Sequence, residues 1–199
     1  MTDEKRPYRK KRRAELEEQT RLRITESAVE LHGTLGPSRT SMSAIAERAG
    51  VRRSTLYRHF PDEVAVFQAC SAHWAAAHPP PDLGAWAALE DPDERLATAL
   101  GELYAYYRSG ESMLANLHRD EALMPTVQQF FGAYREFVAA IRDELMRGRG
   151  VRGKARKRVL AAIGHALAFG TWRSLARDEG LADAEAAELM SRLVREASA

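Results

Sequence analysis

Residues 41–60 of this 199-residue chain read SMSAIAERAGVRRSTLYRHF, and this stretch decides the fold that we predict. Ser41 can cap a first short helix, because a serine hydroxyl accepts a free backbone N–H group at a helix start. Gly50 ends that helix, since glycine adopts the left-handed backbone that a tight turn requires. A second short helix follows over residues 52–59. The stretch therefore predicts a helix-turn-helix.

The second helix of this motif is expected to bury one face and expose the other. Apolar or small residues occupy the positions where the two helices must face each other: Ile45, Ala46, Ala49, Val51 and Leu56. The remaining side chains of the second helix are polar or positively charged: Arg52, Arg53, Ser54, Thr55, Tyr57, Arg58 and His59. Arginine can pair with the major-groove edge of guanine, and hydroxyl groups reach phosphates or base edges. The pattern favours a helix that lies in the major groove of DNA.

Positive charge is concentrated in the same part of the chain. Residues 1–60 contain 14 Lys and Arg against 8 Asp and Glu, whereas residues 61–199 contain 16 against 20. The run from Lys5 to Arg13 lies directly before the motif, and we predict that residues 1–13 form a flexible basic arm. Arg9 and Arg12 of this arm would follow the minor groove or neutralise phosphates. A helical hairpin with a solvated basic face is the alternative, and the arm beside the motif favours DNA binding.

The rest of the chain has helical rather than strand periodicity. Apolar residues recur at helical spacing between residues 14 and 35, and a longer helix is expected to begin at Pro61 or Asp62. Further helices are predicted at roughly 92–109, 111–118, 125–147, 152–177 and 183–197, and no segment alternates as a strand does. We therefore predict an all-α protein with a helix-turn-helix domain over residues 14–60 and a helical body over residues 61–199.

Composition and motifs argue against other classes of protein. A single cysteine, Cys70, excludes an internal disulfide, and no apolar run is long enough to span a bilayer, so we expect a cytoplasmic protein. Cys70, His73 and His78 lie close together in sequence, but no fourth ligand is evident, and we expect neither a metal site nor a cofactor. Catalytic signatures are absent, so we do not expect an enzyme. A helical protein–protein adaptor with non-specific nucleic-acid affinity stays open as the alternative function.

The motif resembles that of the TetR-type (tetracycline-repressor-like) transcriptional regulators over about residues 20–70. The matching residues are Ile24, Ala28, Leu31, Gly36, the run from Ile45 to Val51 and the run from Ser54 to Pro61. The resemblance implies a three-helix DNA-binding domain, a connecting fourth helix and a helical body that binds an effector and forms a homodimer. It also implies that Ser41, Tyr57 and His59 contact phosphates. Bases or their flanking backbone would be contacted by Ser43, Arg52, Arg53 and Thr55.

Three positions depart from the usual pattern of that family. Glu63 occupies a place where a lysine commonly grips phosphate, Ser43 stands where arginine is frequent, and His32 stands where an aromatic ring usually packs. The doubled arginine at residues 52 and 53 and the basic arm are expected to offset the lost positive charge.

The helical body is predicted to contain an effector pocket. Most aromatic residues lie between residues 62 and 147, which suits a hydrophobic or aromatic small molecule. We expect four of them to line the pocket: Trp74, Tyr104, Phe130 and Tyr134. The alternative is that these rings simply fill the core. The basic segment 147–158 is expected to be solvated, with binding of an anionic effector as its alternative.

The last two predicted helices are candidates for a dimer interface. Leu160, Ile163 and Leu167 lie among small residues that let another helix approach, and Leu189 and Leu193 lie on one stripe of the final helix. Paired with a second copy they would form a four-helix interface; the alternative is that both stripes are buried within one protomer. A dimer would place the second helices of its two helix-turn-helix motifs about 34–36 Å apart and bind an inverted repeat. The predicted function is a repressor that its effector releases from a palindromic operator.

Overall fold

The structure, a computed structural model, describes residues 5–198, apart from the side chains of residues 5–7, 9 and 133. Over this range the chain is helical and contains no strand, which confirms the predicted all-α class. The helices are α1 (Lys5–Thr34), α2 (Met42–Arg48), α3 (Arg53–His59), α4 (Glu63–Ala77), α5 (Leu83–Ala87), α6 (Pro92–Ser109), α7 (Glu111–Asp120), α8 (Pro125–Met146), α9 (Gly153–Ala166), α10 (Phe169–Arg173) and α11 (Asp183–Glu196). A short 3-10 turn (Pro37–Arg39) precedes α2, and a π-helical turn (Ser174–Asp178) follows α10.

Helix α1 begins well before the predicted start at residue 14. Residues 5–13 therefore continue this helix and do not form a separate flexible arm. Lysine and arginine are good helix formers, and Arg13 pairs with Glu17 one turn later at 3.0 Å. The buried apolar stripe of α1 is shorter at both ends than the predicted range of residues 14–35. Leu16, near the start of that range, is 56% exposed, and Leu35, at its end, is 45% exposed.

The long helix predicted over residues 152–177 is broken at Leu167–Ala168. Ala168 has an extended backbone, with ψ of 132°, so α9 stops and α10 begins. The break frees two carbonyl groups of the helix end. The hydroxyl of Tyr104 donates to the Ala166 carbonyl at 2.8 Å, and the hydroxyl of Tyr107 donates to the Leu167 carbonyl at 2.6 Å. Tertiary hydrogen bonds therefore stabilise a break that neither glycine nor proline marks in the sequence at residues 167–168.

The chain divides into two compact units. Of the described residues, the first unit comprises 5–77 together with 115–127, and the second comprises 78–114 and 128–198. The first unit thus extends past the predicted boundary at residue 60. It includes α4 because Val66 and Cys70 of α4 belong to the same buried cluster as Ile24 of α1.

Candidate nucleic-acid interface

The turn between α2 and α3 has the geometry that the sequence predicts. Gly50 has a φ of +64°, in the left-handed region that favours glycine. The Gly50 N–H donates to the Glu47 carbonyl at 3.0 Å, and the Val51 N–H donates to the Ala46 carbonyl at 2.9 Å. These bonds satisfy carbonyl groups that the end of α2 would otherwise leave free. The chain therefore leaves α2 in a defined direction and enters α3.

A compact apolar cluster supports both helices of the motif. Its buried members are Ile24, Ala28, Met42, Ile45, Ala46, Ala49, Leu56, Phe60, Val66 and Cys70. Leu56 and Phe60 have no exposed surface, so one face of α3 and the residue after it are fully covered. A helix of seven residues is not stable alone, and this burial is what stabilises α3.

The opposite face of α3 is open to solvent and rich in positive charge. Of the predicted DNA contacts, Thr55 and His59 are half-buried, and these are exposed: Arg12, Ser41, Ser43, Arg52, Arg53, Ser54 and Tyr57. The Arg53 guanidinium carbon lies 5.8 Å from the centroid of the Tyr57 ring, so these two side chains adjoin on one face. The side chain of Arg9 lies outside the described residues. The arrangement can present hydrogen-bond donors to a groove and to flanking phosphates.

Ser41 caps α2, as the sequence predicts. Its hydroxyl oxygen accepts the Ala44 N–H at 3.1 Å. That bond uses a lone pair of the oxygen and leaves the O–H free to donate. A phosphate that approaches the N-terminus of α2 would meet this donor together with the positive end of the helix dipole.

His59 lies at the end of α3, and its side chain is half-buried. Burial lowers its pKa below the ordinary value, and the nearby charges of Arg58 and Arg21 lower it further. Its Nε2 is buried and has no hydrogen-bond partner within the described part of the chain. Without DNA, these surroundings favour the neutral form of the imidazole.

Sequence reasoning did not single out Arg21, which lies on α1 and contacts the end of α3. Its Nη1 donates to the His59 carbonyl at 2.9 Å, and its guanidinium carbon lies 4.3 Å from the centroid of the Phe60 ring. The residue is exposed and 38 positions away from His59, so no local pattern marks it.

A second group of residues missed at the sequence level lies on α7, within the same compact unit. Asn116 Nδ2 donates to the carbonyls of His32 and Gly33 at 3.0 and 2.8 Å, and Arg119 Nη2 donates to the Leu35 carbonyl at 2.7 Å. Arg119 Nε also bonds the carboxylate of Asp120 at 2.7 Å. We call Asn116, Arg119 and Asp120 the α7 clamp. The clamp satisfies carbonyl groups at the C-terminal end of α1.

The predicted effector residues fall into both compact units. Trp74 lies on α4 in the first unit, whereas Tyr104, Phe130 and Tyr134 lie in the second. Tyr104 is fully buried, and burial raises the pKa of its hydroxyl. Phe130 is 38% exposed and Tyr134 is half-buried. The Tyr134 hydroxyl lies 3.1 Å from that of Tyr107.

The predicted dimer residues do not all reach the surface. Ile163 has no exposed surface and Leu167 is 1% exposed, so their own protomer covers both, and they cannot form an interface with another copy. In contrast, Leu189 is 44% exposed, Leu193 is 42% exposed and Leu160 is half-buried. Helix α9 packs against α11 and α10 within the protomer, and helical periodicity does not distinguish a face that the protomer buries from an outer face.

Residues of the two alternative sites, Cys70 and the basic segment 147–158, contact other groups of the protein. The Cys70 sulfur lies 3.3 Å from Nδ1 of His32, and the described residues contain no cluster of three metal-ligating side chains. In the basic segment 147–158, Arg147 donates to the Ala87 carbonyl at 2.7 Å and Arg149 donates to the Pro92 carbonyl at 2.6 Å. These two arginines therefore bind the end of α5 and the start of α6 in the second unit. No helix within residues 5–198 is both long and apolar enough to cross a membrane.

Comparisons with known proteins agree with this geometry. Residues 24–70 match the family of bacterial regulatory proteins called the tetR family. No curated protein matches the chain. A TetR-like transcriptional regulator from Rhodococcus sp. RHA1 is 19% identical with a TM-score of 0.64, over 89% of this chain and 94% of that chain.

Two further solved structures share the fold. The regulator AibR, in complex with isovaleryl coenzyme A and operator DNA, is 18% identical with a TM-score of 0.64, over 86% of this chain and 96% of that chain. The fatty acid degradation regulator FadR from Bacillus halodurans is 15% identical with a TM-score of 0.59, over 88% of this chain and 94% of that chain. The predicted resemblance to TetR-type regulators is confirmed by the match over residues 24–70.

Proposed function

We propose that this chain, which carries the DNA-binding domain of a TetR-family regulator, is a repressor that binds an inverted-repeat operator as a homodimer. A hydrophobic or aromatic small molecule releases it. The observation that carries the proposal is the exposed cationic face of α3, held by the fully buried Leu56 on the opposite side. A short helix that is rigidly supported on one side and positively charged on the other suits the major groove.

Recognition is divided between the two kinds of contact that DNA offers. Arg52 and Arg53 extend from the start of α3 and reach base edges, where a guanidinium pairs with guanine. The hydroxyl groups of Ser41 and Tyr57 bind phosphates and set the register of the helix on the duplex. Basic residues at the start of α1, Arg12 among them, add charge that strengthens binding to any sequence.

The effector acts by preferring the conformation that cannot bind the operator. Such a ligand shifts the equilibrium only by the difference between its affinities for the two states, typically about 1–3 kcal/mol. The aromatic residues Phe130 and Tyr134 of α8 are our candidates for its contacts. AibR, which shares the fold, was solved with both an acyl coenzyme A and operator DNA, and this precedent supports a small-molecule effector here.

Dimerisation uses the apolar side chains that the protomer leaves exposed. Leu189 and Leu193 lie one turn apart on α11, and both are more than two-fifths exposed. A helix pair that buries such a stripe against a second copy gives a two-fold symmetric interface. Two-fold symmetry of the protein then requires two-fold symmetry of the operator.

Selection of bound fragments from a pool of random-sequence duplexes tests the proposal directly. We expect enrichment of one inverted repeat whose half-sites are about one helical turn apart, centre to centre. Arg53→Ala should then weaken binding to the selected repeat by about 1–3 kcal/mol and relax the base preference at one position of each half-site. A protein–protein adaptor would give no enriched sequence, and the proposal would then be wrong.

A further inference from the structure

The C-terminal end of α3 needs support from outside the helix. The helix has only seven residues, and the Phe60 N–H, which donates to the Leu56 carbonyl at 2.8 Å, closes its last turn. The carbonyls of the final turn have no further intrahelical donors, and a helix end in this state frays easily. Any loss of order here would also disturb the DNA-facing side chains one turn earlier.

Arg21 supplies that support through two contacts. Its Nη1 donates a charge-assisted hydrogen bond to the His59 carbonyl at 2.9 Å. Its guanidinium also lies over the Phe60 ring, at 4.3 Å from the centroid, and Phe60 is fully buried. A positive charge at a helix C-terminus is favourable because it faces the negative end of the helix dipole. Arg21 thus attaches the end of α3 to α1.

We infer that Arg21 is a positioning residue for DNA recognition: it fixes the C-terminal end of α3 so that the exposed, positively charged face of this helix keeps one orientation. The inference rests on the proposed function, because it assigns Arg21 to the same DNA interface. A positioning role and a phosphate-contact role predict different effects of an Arg21 substitution on DNA affinity. A positioning residue affects selected sequences more than random ones, whereas a phosphate contact affects both alike.

Arg23 provides a matched control for the charge of Arg21. It lies two residues further along α1 and is also exposed, and its side chain makes no hydrogen bond or ion pair with the described residues. Arg23→Ala therefore removes the same charge from the same helix without touching α3. Arg21→Lys retains the charge and a donor for the His59 carbonyl but loses the planar group over Phe60.

Two measurements on the full chain test the inference. The first is amide hydrogen exchange without DNA. In Arg21→Ala the Phe60 amide should exchange about tenfold faster, the combined scale of a helix-end cation and a cation–π contact. The Val51 amide, in the turn before α3, should be unchanged. The exchange rate of the Phe60 amide in Arg21→Lys should lie between those of Arg21→Ala and the parent chain. In Arg23→Ala this rate should match that of the parent chain.

The second measurement is DNA affinity, for the selected repeat and for a random duplex of equal length. Arg21→Ala should lower the ratio of specific to random affinity by about tenfold, Arg21→Lys should restore part of that ratio, and Arg23→Ala should leave it unchanged. Equal losses on both duplexes, or exchange of Phe60 identical to that of the parent chain, would overturn the inference. If the parent chain prefers no sequence, the proposed function fails, and hydrogen exchange still decides whether Arg21 holds α3.

Discussion

Asp120 accepts a hydrogen bond from the backbone N–H of Ser38 at 2.9 Å, although 82 residues separate the two in sequence. The side chain of Asp120 has no exposed surface. Burial alone would raise the pKa of this carboxyl, but hydrogen bonds from Arg119 and Ser38 outweigh it, and the pKa lies below its ordinary value. The α7 clamp therefore uses a buried negative charge to hold the segment between α1 and α2. This segment directly precedes the helix-turn-helix in the chain.

Replacement of Asp120 by asparagine should lower the free energy of unfolding by about 2–3 kcal/mol, because an amide N–H2 group would face the Arg119 guanidinium in a buried site. Urea titration at neutral pH measures the loss. Asp143→Asn, at an exposed position of α8, is the control and should change stability little. Equal effects of the two variants would show that the α7 clamp does not stabilise the first unit.

Gly36→Ala should destabilise the chain more than Gly50→Ala. Both glycines have positive φ, +96° and +64°, so each alanine variant incurs backbone strain of about 1–3 kcal/mol. At Gly36, however, a Cβ atom would also clash with Arg119 Nη2 and lie 2.6 Å from an Asp120 oxygen, whereas at Gly50 it would meet nothing within 4 Å. The Gly36 backbone, with ψ of 156°, also lies where alanine is tolerated less well than in the left-handed helical region, so backbone strain and the contact with the α7 clamp both increase the loss at Gly36. No difference would contradict this account of Gly36.

His32 should make the protein sensitive to mild acid. Burial lowers its pKa from 6.5 to about 4, although the charge of Asp120 raises it somewhat. The unfolded chain then binds a proton that the folded chain does not, so stability is complete above pH 6.5 and falls between pH 6.5 and about 4. The loss is at most about 3 kcal/mol.

His32→Phe, which keeps an aromatic ring near Phe67, should reduce the stability loss in that interval. The part that remains comes from His59 and His118, whose pKa values burial also lowers. The contribution of Asp120 falls in a different interval: its folded pKa is lowered, so its stabilisation is present above its ordinary pKa of 3.8 and is lost below it. Chemical unfolding at several pH values separates the two. A profile for His32→Phe that declines as steeply as that of the parent chain between pH 6.5 and 4 would rule out His32 as the main cause, since burial also lowers the pKa values of His59 and His118.

Tyr107→Phe should cost more stability than Tyr104→Phe. Removal of the Tyr107 hydroxyl leaves the Leu167 carbonyl without its donor and the Tyr134 hydroxyl without its partner, whereas removal of the Tyr104 hydroxyl affects the Ala166 carbonyl alone. Each unsatisfied buried group costs about 1–3 kcal/mol. Thermal unfolding of the two variants gives the comparison, and an equal or reversed order would mean that the Tyr134 hydrogen bond adds nothing.

The double variant Leu189→Glu/Leu193→Glu should dissociate the proposed dimer, because two charges on an apolar interface oppose burial. Light scattering coupled to size-exclusion chromatography reports the mass. Leu16→Glu, at a position on α1 that is 56% exposed, is the control for a surface leucine and should leave the mass unchanged. If the double variant has the same mass in solution as the parent chain, the dimer interface lies elsewhere on the protein.

The features that could be read from the amino-acid order are those that depend on near neighbours in the chain. Ser41, Gly50 and the buried positions Ile45 and Leu56 act through capping, turn geometry and the spacing of apolar side chains, which are properties of a few consecutive residues. For the same reason the helix-turn-helix and the all-α class were predictable. The starts and ends of α6, α8 and α11 also lie within a few residues of the prediction.

Other features depend on side chains that meet across long separations. The break after α9 is held by tyrosines 60 and 62 residues away, the end of α3 by Arg21, and the end of α1 by the α7 clamp. Helical spacing also could not show that Ile163 faces its own protomer while Leu189 faces solvent, because an apolar stripe looks the same whichever surface covers it. Folding brings these groups together, and hydrogen bonding and burial then select the conformation among several that local preferences allow.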